Sequence, residues 1–168
     1  MKKLNLLKTI VDFIWIMSLI FFPLIIFLSI MIIVGKGTFD IPISFATGTT
    51  IDLSKGFGKI ALAINVFNFG LLLYALYFFR KLLGCFVKRM IFEEEICYLL
   101  DKIGSIVIMA SIVQLFSDFT SKLSKNEVGI EFGYGPFLYL VALGLFFKVL
   151  SEVFKIGKTM KEENELTI

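Results

Sequence analysis

A chain of 168 residues suits a single domain, and 58% apolar residues with a mean hydropathy of +0.90 exceed what typical soluble domains carry. The formal net charge is only +3, yet the charged residues, 18% of the chain, are almost absent from four long apolar stretches. The sequence has no histidine, which excludes the Ser-His-Asp triad, Cys-His nucleophiles and most zinc or haem ligation. We therefore expect no enzymatic activity, no cofactor and no metal site.

The four apolar stretches have the length of membrane-spanning helices. A bilayer core about 30 Å thick requires about 20 helical residues at 1.5 Å each. The pattern predicts an all-α membrane fold, a four-transmembrane-helix bundle that forms one integral membrane domain over residues 1–168. The predicted helices are residues 13–34, 60–79, 103–119 and 134–154, followed by a cytoplasmic tail at 155–168.

The distribution of lysine and arginine predicts the orientation. Only five of the 17 basic residues lie in the first and third loops, and these are Lys36, Lys55, Lys59, Lys122 and Lys125. The others lie near the amino terminus, in the central loop and in the tail. By the positive-inside rule, both termini and the central loop are cytoplasmic, in a multi-pass protein of the inner cell membrane.

The first outer loop carries an alternating pattern. Phe39, Ile41, Ile43 and Phe45 alternate with polar or small residues, and a second short run follows at 49–53. Alternation of this kind predicts a β-hairpin. The third loop alternates again at residues 128, 130 and 132, so a small extracytoplasmic sheet is predicted.

Five polar residues inside the apolar stretches fall at similar depth or close to it. They are predicted to form one polar layer between the helices, in the outer half of the bilayer: Ser29, Asn65, Asn68, Gln114 and Tyr139. One interpretation is a site for a small ligand or ion. The other, which the absence of an acid or base among them favours, is interhelical hydrogen bonding worth about 0.6 kcal/mol per contact.

The sequence also contains an internal similarity. Residues 78–95 align with residues 146–163 at a constant offset of 68, which predicts two helical hairpins related as parallel repeats. Chance similarity between apolar helices is the alternative. The identical positions are Phe78, Phe79, Leu82, Phe86, Glu94 and Glu95 against Phe146, Phe147, Leu150, Phe154, Glu162 and Glu163.

Two segments within these copies resemble a known family. FEEEICYLLDKIG at residues 92–104 and KEENELTI at residues 161–168 are similar to the domain of unknown function 2975 family of small bacterial four-helix membrane proteins, over essentially the whole chain. The chain departs from the family pattern at Glu93, where the family has Ser or Thr, and at Ile96, where it has Asn. The resemblance implies no established activity, so no functional residue is transferred. Neighbouring genes in the family often encode a helix-turn-helix regulator, which implies a soluble regulatory partner.

The two charged segments, at residues 92–104 and 161–168, therefore contain the candidate residues for docking a partner. Acids in the first turn of a helix are also favoured by its macrodipole, so an ordinary helix start is favoured over a binding role for the first copy. No membrane helix follows the second copy, which strengthens a docking role there. The candidates are Phe92, Glu94, Glu95, Glu162, Glu163, Asn164 and Leu166.

Three functions fit these observations. The leading hypothesis is a non-enzymatic regulatory or interaction protein in the lipid bilayer, with a cytoplasmic face that binds a soluble protein and makes no direct contact with nucleic acid. The first alternative is a small transporter or channel with a pathway at the repeat interface. The second alternative is an immunity-type protein against a membrane-active peptide.

Overall fold

A computed structural model describes residues 2–35, 43–44, 50–51, 53, 56–90, 93–125 and 136–166. The helices are α1 (Lys2–Val34), α2 (Gly56–Val87), α3 (Glu94–Lys125) and α4 (Pro136–Leu166). All four are long and apolar enough to cross a membrane, as a multi-pass membrane protein requires. The predicted all-α class and the number of spanning helices are confirmed.

Each helix is longer than the apolar stretch that predicted it. The helices have 31 to 33 residues, or about 48 Å, whereas a bilayer core is about 30 Å thick. The extra turns are at the charged ends, where water can solvate side chains without ending the backbone hydrogen bonding. Glu94 and Glu95 in the first turn of α3 illustrate this, because carboxylates stabilise a helix amino terminus.

A left-handed residue ends α2. Arg89 adopts a positive φ of 62°, and the Met90 N–H donates to the Cys85 carbonyl at 3.2 Å. This is the hydrogen bonding of a Schellman motif, in which a left-handed residue closes the helix carboxyl terminus. The motif therefore closes the carboxyl terminus of α2 shortly before α3 begins at Glu94.

In their backbone contacts the helices form a row, with α3 between α2 and α4 and with α1 against α2, and two ring pairs also join α2 to α4. The buried core accordingly lies along α3, at residues such as Leu99, Leu100 and Ile103, whereas α1 buries only Val11 and Ser29. A closed bundle would also join α1 to α4, but the described residues of these helices make no contact. In the described residues the four-helix arrangement is thus not closed between α1 and α4, and the parallel relation of the two hairpins stays a prediction.

One pair of short strands lies between α1 and α2. Strand β1 (Ile43–Ser44) pairs antiparallel with β2 (Thr50–Ile51), with Ile43 opposite Ile51. Leu53 follows and is buried against Ala61, Leu62 and Ile32. Two residues per strand do not make the predicted hairpin, and most of residues 39–53 and all of 128–132 lie outside the described residues. The extracytoplasmic sheet therefore stays a prediction.

Candidate functional site

Side chains of opposite charge meet where α2 ends, α3 begins and α4 continues; we call this the charged end. The Lys158 ammonium of α4 lies 3.8 Å from a carboxylate oxygen of Glu94 and 3.7 Å from one of Glu162. Lys81 of α2 pairs with Glu95 at 2.8 Å. Two of the predicted docking residues, Glu94 and Glu162, therefore lie beside the Lys158 cation. Glu95 instead pairs with Lys81 of α2.

The remaining predicted docking residues follow along the last turn of α4. Glu163 and Asn164 are exposed, and Leu166 is 87% exposed. Phe92 lies outside the described residues. Lys158, near the start of the predicted tail, thus contacts the first turn of α3, and the last turn of α4 is exposed to solvent.

Two further ion pairs near the charged end were not predicted from the sequence. Arg80 of α2 donates through Nε to Asp12 of α1. Lys148 of α4 donates to Asp101 of α3 at 2.8 Å. Each joins a helix to the one that precedes it in the chain. An acid at the edge of an apolar stretch, such as Asp12, is the signal that could have indicated this, because a membrane disfavours an unpaired charge.

Repeat-matched aromatic residues also meet near this end. The ring centroids of Phe79 and Phe147 are 6.1 Å apart, and those of Phe86 and Phe154 are 5.8 Å apart. Both distances are normal for interacting aromatic pairs. Each pair joins α2 to α4 at the offset of 68 residues.

A cleft of about 320 Å³ separates α3 from α4 next to these contacts. Acidic and basic side chains both line it, among them Asp101, Glu152 and Lys155. The buried Ser151 hydroxyl donates to the Cys97 carbonyl at 2.7 Å and closes one wall.

The predicted polar layer is formed in part, between α2 and α3. Asn65 donates to the Ser117 hydroxyl. Asn68 donates to the Gln114 carbonyl oxygen at 2.7 Å, and the Gln114 amide donates to Asp118 at 2.9 Å. Ser117 and Asp118 were not predicted as members of the layer, although they follow Gln114 at spacings that place all three near the same helix face.

The other two members of the predicted layer are placed elsewhere. Ser29 donates to the Ile25 carbonyl of its own helix at 2.7 Å and lies against α2. Tyr139 is 65% exposed, because α4 packs on α3 and does not reach the α2 face that carries the polar chain. The layer therefore involves two helices and not the four that were predicted.

The described residues contain no group of three or more His, Cys, Asp or Glu side chains that could hold a metal ion. What the geometry offers is a set of charged contacts at one end of the helix row and a hydrogen-bonded polar chain within it. These features define a small helical protein with four potential membrane spans.

The chain belongs to the family described as Protein of unknown function (DUF2975), whose model matches residues 41–168. The resemblance seen in the sequence is confirmed, but the match begins after α1 and is narrower than the whole chain. No curated protein and no solved structure matches the chain.

Proposed function

We propose that the chain is a non-enzymatic multi-pass protein of the inner membrane whose charged end binds a soluble regulatory protein. The observation that carries this proposal is the length of α4. Its 31 residues extend about 46 Å, about 16 Å more than a bilayer core needs. The extra turns form a helix outside the apolar span, where no membrane requirement explains it.

Lys158 supports this extension by holding it against α3. The cation lies between Glu94 at the start of α3 and Glu162 one turn further along α4. A polar terminal segment frays in water unless other contacts order it. The pair with Glu94 joins the extension to α3, and the pair with Glu162 lies within α4 and supports its helical continuation.

The surface of the extension suits a basic protein partner. Ile156 and Met160 are exposed one turn apart, and Glu162 and Glu163 follow them. Amphipathic helices bind protein grooves through such apolar residues spaced by one turn. Because DNA-binding regulators carry basic surfaces, the acids complement the helix-turn-helix partner that the family resemblance implies.

Deletion of residues 162–168 tests this docking. We expect the truncated protein to insert and to unfold in detergent like the full chain, because residues 162–164 and 166 are exposed and lie outside the core of the described residues. Binding of a purified helix-turn-helix regulator of the kind that the family resemblance implies, measured by biolayer interferometry, should be abolished. Undiminished binding by the truncated protein would remove the tail from the mechanism.

Lys158→Ala is the finer variant, and Lys155→Ala is its matched control. Both remove one cation from the same helix, but only Lys158 joins α4 to α3. We expect Lys158→Ala to weaken partner binding several-fold and Lys155→Ala to leave it nearly unchanged, since exposed charges contribute little. Equal losses in both variants would indicate a general charge effect instead.

The proposed orientation puts both termini in the cytoplasm and the strand pair outside the cell. It is supported by the bias of lysine and arginine toward the charged end. In a protein whose native cysteines are replaced, Ser44→Cys should react with an impermeant thiol reagent in intact cells. Reaction of Thr167→Cys under the same conditions would reverse the assignment.

We also infer that the two hairpins are related as repeats. Arg80 and Lys148, which match at the offset of 68, each pair with an aspartate on the preceding helix. The aromatic pairs at the same offset add support. The repeat then accounts for two similar charged segments within one small protein.

Transport is the second candidate function, and one observation favours it. The side-chain oxygen of Asn68 has no hydrogen-bond partner although the residue is only 3% exposed. An unpaired buried acceptor can accept a hydrogen bond from a passing solute or from water. If transport is the function, Asn68→Leu should abolish solute uptake into proteoliposomes without affecting partner binding.

A further inference from the structure

A second cleft, of about 370 Å³, lies at the charged end between α1, α2 and the start of α3. This volume falls within the range of small-molecule sites. Four basic side chains line it, against a single acid, Glu95. The basic residues are Lys8, Arg80, Lys81 and Lys88. We call it the basic cleft.

Only two of these cations are neutralised by ion pairs. Arg80 pairs with Asp12 through Nε, and Lys81 pairs with Glu95. Lys8 and Lys88 form no ion pair within the described part of the chain. The Arg80 guanidinium also has further N–H donors beyond the one given to Asp12. The basic cleft therefore keeps an excess of positive charge that suits an anion.

One wall of the cleft is aromatic. Tyr77 lies nearly one turn below Arg80 on α2, and its ring packs on Trp15 of α1 with centroids 5.6 Å apart. Tyr77 is also partly exposed on the surface that lipid covers. The basic cleft thus joins a cationic rim to a lipid-facing aromatic wall.

We propose that the basic cleft binds the phosphate group of an anionic ligand, with Lys8 and Lys88 as its principal contacts. Basic pockets between membrane helices on the cytoplasmic side recognise anionic headgroups through the same chemistry. The phosphate can belong to an anionic phospholipid or to free inorganic phosphate. The aromatic wall gives acyl chains a surface that inorganic phosphate does not need.

Gly84 provides a way to block the cleft without changing its charge. It lines the cleft, and a Cβ added at this position would meet no atom within 4 Å. Gly84→Leu therefore extends into the space that the ligand occupies. Gly56, at the start of α2, has equally open surroundings but does not line the cleft, so Gly56→Leu is the matched control.

The experiment uses Trp15, the one tryptophan of the chain, as the reporter. The full-length protein in uncharged detergent micelles is titrated with short-chain phosphatidylglycerol, with short-chain phosphatidylcholine, and with sodium phosphate at constant ionic strength. We expect phosphatidylglycerol to change the fluorescence saturably, because Trp15 packs on the Tyr77 wall. Phosphatidylcholine should bind much more weakly.

Variants then assign the binding to the cleft. Lys8→Gln with Lys88→Gln should weaken phosphatidylglycerol binding about 30-fold, as expected for the loss of two cations near an anionic headgroup. Lys102→Gln with Lys155→Gln removes the same charge elsewhere and should change the affinity less than threefold. Gly84→Leu should abolish the titration and Gly56→Leu should not. If Gly84→Leu does not fold, the lysine pairs decide the question.

The outcomes separate the two sources of phosphate. A response to phosphatidylglycerol alone assigns the cleft to a lipid headgroup. A response to sodium phosphate that the Lys8 and Lys88 double variant loses assigns it to the free anion as well. Equal binding of phosphatidylcholine and phosphatidylglycerol, or full binding by the double lysine variant, would overturn the proposal.

Discussion

The α1/α2 and α3/α4 hairpins are each a pair of long helices, but the two helices of each pair contact each other through different residues. A Cβ at Gly104 of α3 would lie 2.8 Å from the Gly144 carbonyl oxygen of α4, so these two backbones touch. On α2, Gly70 faces the Phe22 ring of α1, and Trp15 and Tyr77 form a second ring contact. The comparison shows that in lipid the size of the residue at the crossing sets how closely two helices pack.

The two hairpins are more alike at the charged end. Arg80 and Lys148 occupy matched positions, and each pairs with an aspartate of the preceding helix. The difference between the hairpins is therefore concentrated within the apolar spans. The family model also begins only after α1, the helix with the least burial in the row.

Gly144→Ala should have the largest effect on this comparison. The added Cβ would lie 2.6 Å from Ile108 Cγ1 and 3.1 Å from the Ile108 backbone nitrogen. Since backbone cannot move aside as a side chain can, we expect α3 and α4 to separate. The free energy of unfolding, measured by denaturant titration in detergent, should fall by about 2 kcal/mol.

Gly84→Ala is the control for that substitution. Its Cβ would meet nothing, so the better helix propensity of alanine should raise the free energy of unfolding by up to about 1 kcal/mol. If Gly144→Ala were as stable as Gly84→Ala, the close crossing of α3 and α4 would be wrong.

Removal of the hairpin ion pairs should have an intermediate effect. The Asp12 side chain is 29% exposed and that of Asp101 is 57% exposed. Water screens the second pair more, so Asp12→Asn should cost about 1 kcal/mol and Asp101→Asn about half as much. A double-mutant cycle with Arg80→Gln or Lys148→Gln would isolate each pair. The reverse order would show that exposure does not decide their strength.

Gly70→Ala should have the smallest effect. Its Cβ would approach the Phe22 ring to 3.2 Å, and this ring edge can rotate away. The gain in helix propensity offsets the remaining strain, so we expect a change within about 0.5 kcal/mol by the same titration. A loss as large as that of Gly144→Ala would mean that α1 and α2 are packed as rigidly as α3 and α4.

The sequence predicts the helices well and their arrangement less well. Hydropathy identified all four helices, but it predicted an end for α4 at residue 154, whereas the helix continues to Leu166. An apolar window measures what lipid accepts, and it does not register that Lys158 and Glu162 can continue a helix in water. The helix was therefore predicted to be as long as its apolar part.

The partners of polar residues were harder to predict, because they depend on which helices are neighbours. Asn68 and Gln114 were expected together and do meet. Tyr139 was grouped with them by depth alone, and depth does not report the direction in which a side chain faces. The ion pair of Asp12 with Arg80 joins residues 68 positions apart, a separation at which one sequence gives no signal of contact.

That separation has a consequence for how the protein is made. At about 5 to 20 residues per second, the ribosome adds Arg80 about 3 to 14 s after Asp12, from which it lies 68 residues away. During this interval the Asp12 carboxylate has no guanidinium beside it, and insertion of a lone charge into hydrocarbon is unfavourable. The newly made α1 should therefore keep Asp12 at the water boundary. The ion pair with Arg80 forms only after α2 has been synthesised.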